Sequence, residues 1–200
     1  MILIKHRINK ISDLKKTPKK YGVEIDLRSE NKKIYLHHDP FKQGTLFSEW
    51  LKYYNHKLIV LNVKEEGLEK HIIKLLNVHK IKNFFFHDQT FSSLLKNSKK
   101  TKVSLRYSEY EELKNKKILF SNIKWLWLDN FKKVEISKNF YNFIKKKNVK
   151  ICLVSPELVK KSRRVEIKKT YLKLKKNKTL PDAVCTKVPE IWEKIRENEI

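Results

Sequence analysis

Apolar positions along the chain alternate between short runs that fit β-strands and spaced patterns that fit amphipathic helices. Over Val23–Arg28, apolar residues alternate with Glu24, Asp26 and Arg28, which is the two-residue period of a strand with one packed face. Short apolar runs predict the remaining strands, at residues 2–5, 34–37, 58–63, 83–86, 102–106, 125–128, 149–154 and 183–185.

Helical spacing fills the stretches between these strands. Apolar residues spaced three and four positions apart predict helices within residues 47–54, 68–76, 91–95, 140–144 and 188–195. Ser108 and Glu111 have the spacing of a capping box and predict one more helix after residue 108. Residues 157–178 are also predicted to be helical.

Strand and helix therefore alternate roughly eight times, which favours a parallel sheet and a (β/α)₈ TIM barrel, an α/β fold. We expect a single domain over residues 1–200, and about 200 residues is the lower limit for this barrel. The first helix, within residues 11–20, should be shortened because Pro18 interrupts it. A doubly wound open sheet is the alternative, but no glycine-rich turn follows the first strand.

The high net charge does not by itself indicate a nucleic-acid-binding protein. The net charge of +25 favours anionic partners, but only six of the 47 basic residues are arginine, the residue that nucleic-acid readers use for bidentate contacts. The lysine clusters are also spread along the whole chain. A basic nucleic-acid-binding protein stays an alternative function, and we expect no specific nucleic-acid partner.

The location is predicted from what the sequence lacks. No apolar run approaches the roughly 20 residues of a transmembrane helix, and the start of the chain does not have the pattern of a signal peptide. Cys152 and Cys185 are too few for a disulfide scaffold and fit reduced thiols. We therefore expect a cytoplasmic protein without a transmembrane segment.

Polar side chains stand at the ends of the predicted strands, where a barrel places its active site. Glu24 and Asp26 lie two residues apart on one strand, so both carboxylates point the same way and call for a cation such as Mg²⁺ or Ca²⁺. An isolated pair of this kind is more often an exposed charged face. His6 and His38 favour the site, because two histidines can serve as general base and general acid. His37 is expected to face the other way.

Further candidates repeat this pattern. Asn62 and Lys64 are two residues apart at the end of another strand, where an amide oxygen can ligate a hard metal and an ammonium can neutralise phosphate. Arg106 ends an apolar strand and Arg7 follows His6. We predict that Arg7, Lys64 and Arg106 bind the phosphate of a small anionic substrate.

Three motifs follow one another near the start of the chain: HR at 6–7, GVEID at 22–26 and LHHDP at 36–40. The series resembles the glycerophosphodiester phosphodiesterase family over about residues 2–193. Later segments resemble a compact branch of it, common near surface-polysaccharide synthesis genes: LNVKEEGLE, NFFFHDQTF, LRYSEYEEL, WLWLDNF, ICLVSPEL and AVCTKVPE. The resemblance implies a (β/α)₈ barrel that hydrolyses a phosphodiester with a divalent metal ion.

The resemblance also assigns roles. His6 and His38 match the family's catalytic acid–base pair, and Glu24 and Asp26 match two metal ligands. Asn62 stands where the family has a third, glutamate ligand, so it is predicted to complete the metal site.

Lys64 matches a lysine of the family, and three other features depart from its pattern. Ile8 replaces the glycine of the usual HRG, the PENT segment is absent, and Lys187 stands where an aspartate is usual. These departures keep a second alternative open, a catalytically weakened barrel that binds a phosphate-containing ligand.

Overall fold

A computed structural model of the protein describes residues 1–111, 113 and 121–198. The chain divides into two compact units, the N-terminal unit Lys5–Val103 and the C-terminal unit formed by Met1–Ile4 with Ser104–Ile200. This division does not test the expectation of one domain over residues 1–200, which stays a prediction.

The N-terminal unit is built on β2 (Gly22–Glu30), the long strand that carries the predicted carboxylates. β2 pairs in parallel with β5 (Ile59–Val63), and β5 pairs in parallel with β6 (Phe84–His87). β2 also forms an antiparallel hairpin with β3 (Lys33–Leu36), which pairs with β4 (Thr45–Leu46). The carboxyl ends of β2 and β5 therefore meet at one edge.

The helices of this unit are α1 (Ile11–Lys16), α2 (Phe47–Leu51), α3 (Glu69–Val78) and α4 (Phe91–Ser98). α1 has six residues and ends at Lys16. The next residue, Thr17, has the extended backbone that a following proline imposes. The predicted shortening of the first helix is confirmed. The buried apolar residues of α2, Phe47, Trp50 and Leu51, pack in the core of this unit.

The C-terminal unit contains four parallel strands, β7 (Ser104–Tyr107), β8 (Trp125–Leu128), β9 (Lys150–Val154) and β10 (Ala183–Thr186). β1 (Ile2–Lys5) lies beside β10. The helices of this unit are α5 (Lys138–Lys146), α6 (Pro156–Val159), α7 (Glu166–Lys176) and α8 (Pro189–Glu197). Trp192 of α8 is fully buried in its core.

Two further helix predictions fall in the C-terminal unit, over residues 157–178 and after Ser108. Residues 157–178 are not one helix: α6 is followed by a 3₁₀ helix (Lys161–Val165) and then by α7. The helix predicted after Ser108 falls on residues 112 and 114–120, which lie outside the described residues. At its expected start, Ser108 and Glu111 pair through their backbones as a β-bridge, so Ser108 is not a helix cap.

No helix in the part of the chain that the structure describes combines the length and the apolar character needed to cross a membrane.

Candidate active site

The two carboxylates on β2 are the centre of the candidate site. Glu24 and Asp26 are fully buried, and so are Val23, Ile25 and Leu27 around them. β2 thus presents carboxylates on one face and apolar packing on the other, as the alternation predicts.

The segment after β1 holds both carboxylates through hydrogen bonds. The backbone N–H of Arg7 donates to Glu24 Oε2 at 2.7 Å. The Asn9 side chain donates to Asp26 Oδ2 and accepts from the Asp26 backbone N–H, both at 2.9 Å. Arg7 has a left-handed backbone, with a φ of 56°, which turns this segment against β2.

Ile8, which departs from the HRG motif of the family that the sequence resembles, has a structural place in this segment. Its side chain is buried, and its N–H donates to the Glu24 carbonyl at 2.8 Å. Its own carbonyl accepts from Trp50 Nε1 at 3.0 Å. An apolar side chain therefore packs here without displacing the carboxylates.

Asn62 and Lys64, from the end of β5, complete the polar cluster. Asn62 lies in register with Asp26, and its Nδ2 donates to Glu24 Oε1 at 2.9 Å. Lys64 Nζ lies 3.6 Å from Asp26 Oδ1 and 3.0 Å from Asp88 Oδ2. The two-residue spacings on β2 and β5 thus bring these four side chains together.

Burial and the neighbouring carboxylate change the protonation of Glu24. Burial, and next the charge of Asp26, raise the pKa of Glu24 to about 7 from its ordinary 4.5. The hydrogen bonds from Asn62 and Arg7 and the charge of Lys64 act in the opposite direction. A cation bound here would favour the ionised carboxylate.

Two oxygens in this cluster are suited to a metal ion. Asp26 Oδ1 and Asn62 Oδ1 are buried and accept no hydrogen bond from the described residues. A buried oxygen without a donor is destabilising, and a hard cation such as Mg²⁺ or Ca²⁺ satisfies carboxylate and amide oxygens alike. No set of three or more His, Cys, Asp or Glu side chains among the described residues could hold a metal ion. The fit therefore needs the Asn62 amide as the third ligand.

His6 lies beside this cluster. Its Nε2 is 3.8 Å from Glu24 Oε2, and its side chain is 16% exposed. The Arg7 guanidinium points to the other carboxylate, with Nε 3.9 Å from Asp26 Oδ2. The structure thus places His6 and Arg7 next to the predicted metal ligands.

His38 lies on the loop 37–44, after the end of β3. Its Nδ1 is hydrogen-bonded to Asp39 Oδ1 at 2.9 Å, and Lys42 Nζ lies 3.2 Å from Asp39 Oδ2. Hydrogen bonds from His38 and then Lys42 lower the pKa of Asp39 to about 2, so this carboxylate stays ionised at neutral pH. Since Nδ1 is occupied, Nε2 is the His38 nitrogen available for proton transfer.

A cavity of about 620 Å³ opens between this loop and the segment after β1. His38, Arg7 and Asn9 all line it. His37 also borders the cavity, so the expectation that it faces the other way stays a prediction. β3 ends at Leu36, so both histidines lie beyond the strand whose alternation suggested it.

Arg106 is a separate case, because it belongs to the C-terminal unit. Its Nε lies 2.9 Å from Glu111 Oε2 and 3.2 Å from Asp129 Oδ2. Its predicted contact with a substrate phosphate stays a prediction.

Sequence reasoning missed Asn9 and Arg28. Arg28 donates two hydrogen bonds to the His38 carbonyl, at 3.1 Å from Nε and 3.0 Å from Nη2. The alternation Glu24-x-Asp26-x-Arg28 was a signal for Arg28, since it places the three side chains on one face. Asn9 follows no strand pattern and had no comparable signal.

Comparison with known proteins gives no sequence match: no family model and no curated protein matches this chain. Solved structures do match. A glycerophosphodiester phosphodiesterase from Thermotoga maritima superposes with a TM-score of 0.76 at 18% identity, covering 98% of each chain. A glycerophosphoryl diester phosphodiesterase from Parabacteroides distasonis has a TM-score of 0.68 at 11% identity, covering all of this chain and 87% of its own.

The chain has the fold of the glycerophosphodiester phosphodiesterases. This confirms the (β/α)₈ barrel as the fold class and, at the level of the fold, the resemblance inferred from the motifs. At these sequence identities the match supports the fold and nothing finer. The roles of the individual residues stay predictions, and so does the resemblance to a compact branch of the family.

Proposed function

We propose that this protein is a metal-dependent phosphodiester hydrolase similar to the glycerophosphodiester phosphodiesterases. One observation carries the proposal: His6, two buried carboxylates and Lys64 cluster at the strand ends of one unit, and the cavity beside them is lined by His38. This is a set of acid–base, anionic and cationic groups that cleavage of a phosphate diester needs.

The two histidines divide the proton transfers between them. One deprotonates the nucleophile, either water or a neighbouring hydroxyl of the substrate, and the other protonates the leaving alkoxide. His38 acts through Nε2 because Asp39 holds Nδ1, and Asp39 stabilises the imidazolium when it forms. Substrates that differ in the acidity of their leaving group distinguish the histidine that acts as the acid from the one that acts as the base.

Glu24, Asp26 and Asn62 would hold the divalent ion, Mg²⁺ or Ca²⁺. When bound, the ion supplies a Lewis acid that withdraws charge from the phosphate oxygens. Lys64 neutralises a further phosphate oxygen, and Arg7, on the wall of the cavity, binds the phosphate of the incoming diester. We further propose that Arg106 binds phosphate through its guanidinium.

The substrate we propose is a small anionic phosphodiester rather than a nucleic acid, and the site of action is the cytoplasm. The cavity of about 620 Å³ is of a size that takes small molecules. Both cysteines are buried and form no disulfide, in keeping with a reducing compartment.

The test is turnover of glycerol phosphodiesters and of generic aryl phosphodiesters in EDTA and with Mg²⁺, Ca²⁺ or Mn²⁺. We expect hydrolysis with a divalent ion and none in EDTA, and calorimetry should detect the ion binding to the parent and not to Asp26→Asn. Binding of a phosphodiester without turnover under any ion would instead support the weakened barrel. The raised pKa of Glu24 and the amide at position 62 favour that alternative, because each reduces the negative charge available to a metal.

A further inference from the structure

Arg28 connects the β-sheet of the N-terminal unit to the loop that carries His38. Arg28 lies on β2, two residues after Asp26, and its side chain is 20% exposed. Its Nε and Nη2 both donate to the backbone carbonyl of His38, at 3.1 and 3.0 Å. The hydrogen bonds of His37 and Lys42 with Asp39 stay within the loop, whereas those of Arg28 come from outside it.

The third nitrogen of the same guanidinium faces Glu65. Arg28 Nη1 lies 3.6 Å from Glu65 Oε1. Glu65 Oε2 accepts hydrogen bonds from the backbone N–H of Ser29 at 2.9 Å and from Ser29 Oγ at 2.6 Å. Glu65 directly follows Lys64, so one guanidinium joins the His38 loop to the chain segment that carries Lys64.

We propose that Arg28 is a positioning residue that fixes the imidazole of His38 relative to Lys64 and the carboxylates. The inference rests on the proposed function, in which His38 transfers a proton at the phosphodiester. His38 lies beyond the end of β3, where no strand pairing holds it. Proton transfer needs an atom held to within a fraction of an ångström, and misplacement by about 1 Å can reduce the rate 100-fold.

Arginine suits this role because of its shape. The planar fork presents two N–H groups to one carbonyl while a third nitrogen faces the carboxylate of Glu65. A lysine at position 28 keeps the positive charge, but its ammonium is a point donor on a flexible stem and cannot reproduce this geometry. Arg28→Lys therefore separates position from charge.

The experiment compares Arg28→Lys and Glu65→Gln with Lys33→Gln, a control that removes a positive charge from the same hairpin. We expect Arg28→Lys to lower kcat by roughly 10- to 100-fold with KM within about twofold, as for loss of orientation. Glu65→Gln should have a smaller effect in the same direction, and the double variant should be no worse than Arg28→Lys, because the two side chains act as a unit. Lys33→Gln should leave kcat unchanged.

A second readout does not depend on turnover. In proton NMR spectra, the signal of the carbon-bound imidazole protons of His38 is assigned by its loss in His38→Gln. This signal should shift or broaden in Arg28→Lys. The signal of His56, which is hydrogen-bonded to the Thr17 carbonyl in the same unit, should stay in place.

The outcomes separate this proposal from the proposed function. A parent protein that hydrolyses no phosphodiester would end the proposed function, while the His38 signal would still test Arg28. The positioning role is overturned if Arg28→Lys leaves the His38 signal in place, whatever happens to kcat. If the parent is active, it is equally overturned when the signal moves and kcat of Arg28→Lys equals that of the parent.

Discussion

The folded N-terminal unit disfavours the ionised form of Glu24, since burial and Asp26 raise its pKa to about 7 from 4.5. Between these two values the unfolded chain is ionised at Glu24 and the folded protein is not, so the free energy of unfolding falls as pH rises. Glu24→Gln removes this loss. In EDTA at pH 8 the variant should be more stable than the parent by about 2 kcal/mol in urea unfolding, and the gap should be small at pH 5.

The substitution suits this test because it leaves the hydrogen bonds intact. The Asn62 amide, which donates to Glu24, can rotate and offer its oxygen to the new side-chain amide. Glu49→Gln is the control, because Glu49 is exposed and paired with Lys52, and its loss should change stability by less than about 0.5 kcal/mol. If Glu24→Gln and the parent are equally stable at pH 8, the ionised Glu24 carboxylate does not destabilise the folded protein, and the prediction is wrong.

The two histidines give a prediction about leaving groups. His6→Ala and His38→Ala should each lower kcat by roughly 10²–10⁴, and the double variant should be little worse than the worse single one. A nitrophenol leaving group needs little protonation, so a nitrophenyl diester should restore turnover in the variant that lacks the acid and not in the variant that lacks the base. The comparison of kcat for alkyl and nitrophenyl substrates identifies the acid.

Two further histidine substitutions test whether the effect is specific to His6 and His38. His79→Ala, at the end of α3, should leave kcat unchanged. His37 lines the same cavity as His38, so His37→Ala is the informative comparison. If His37→Ala abolishes turnover and His38→Ala does not, the proton transfer belongs to His37.

At the scale of single residues, the sequence predicts what the strand period controls. Glu24 with Asp26, and Asn62 with Lys64, come together because two-residue spacing puts each pair on one face. Asn9 and Arg28 contribute through contacts to residues 17 and 10 positions away, and such contacts follow from the folded chain path rather than from any local pattern.

At the scale of elements, the predicted strands lie within a few residues of the observed ones. A buried strand packs against distant parts of the chain, but the short apolar run that predicts it can be seen in the local sequence. The helix boundaries within residues 157–178 were harder to predict from the sequence. The lysines of this stretch give no sharp apolar face, and the break between α6 and α7 is held by Arg163, which donates to the carbonyls of Asn130 and Phe131 at 2.9 and 3.1 Å. A helix interrupted by such distant contacts carries no local signal.

The loop 37–44 offers a test at this scale. Gly44 closes the loop against β3 so tightly that an added Cβ would lie 2.4 Å from the Leu36 carbonyl oxygen. Gly44→Ala must displace backbone, so we expect a loss of about 1–3 kcal/mol, or roughly 2–10 °C in Tm for a protein of this size. Because the loop carries His38, kcat should fall as well.

Gly67→Asn is the matched control for that substitution. Gly67 has a φ of +87°, which asparagine tolerates better than most residues, and nothing lies within 4 Å of an added Cβ. Its Tm should stay within about 2 °C of the parent, near the shift expected for less than 1 kcal/mol. A Gly44→Ala protein as stable as Gly67→Asn would show that the loop can shift freely.

At the scale of the whole molecule, the chain shares its fold with a solved structure at 18% identity, and its own net charge is +25. The order of strands and helices depends on which positions are apolar, and that pattern tolerates almost any polar residue outside it. Lysine can therefore accumulate on the exposed positions without altering the fold.

That surface predicts how stability depends on salt. The chain has 47 basic and 22 acidic residues, and one carboxylate can serve two lysines, as Glu135 does with Lys133 and Lys173. Repulsion among the surplus cations should outweigh such pairs, so raising NaCl from 10 to 300 mM should increase the free energy of unfolding by about 1 kcal/mol. Urea, which is uncharged, is the denaturant to use. His38→Ala should show the same increase, because screening does not depend on the active site, whereas a decrease with salt in both proteins would mean that the ion pairs dominate.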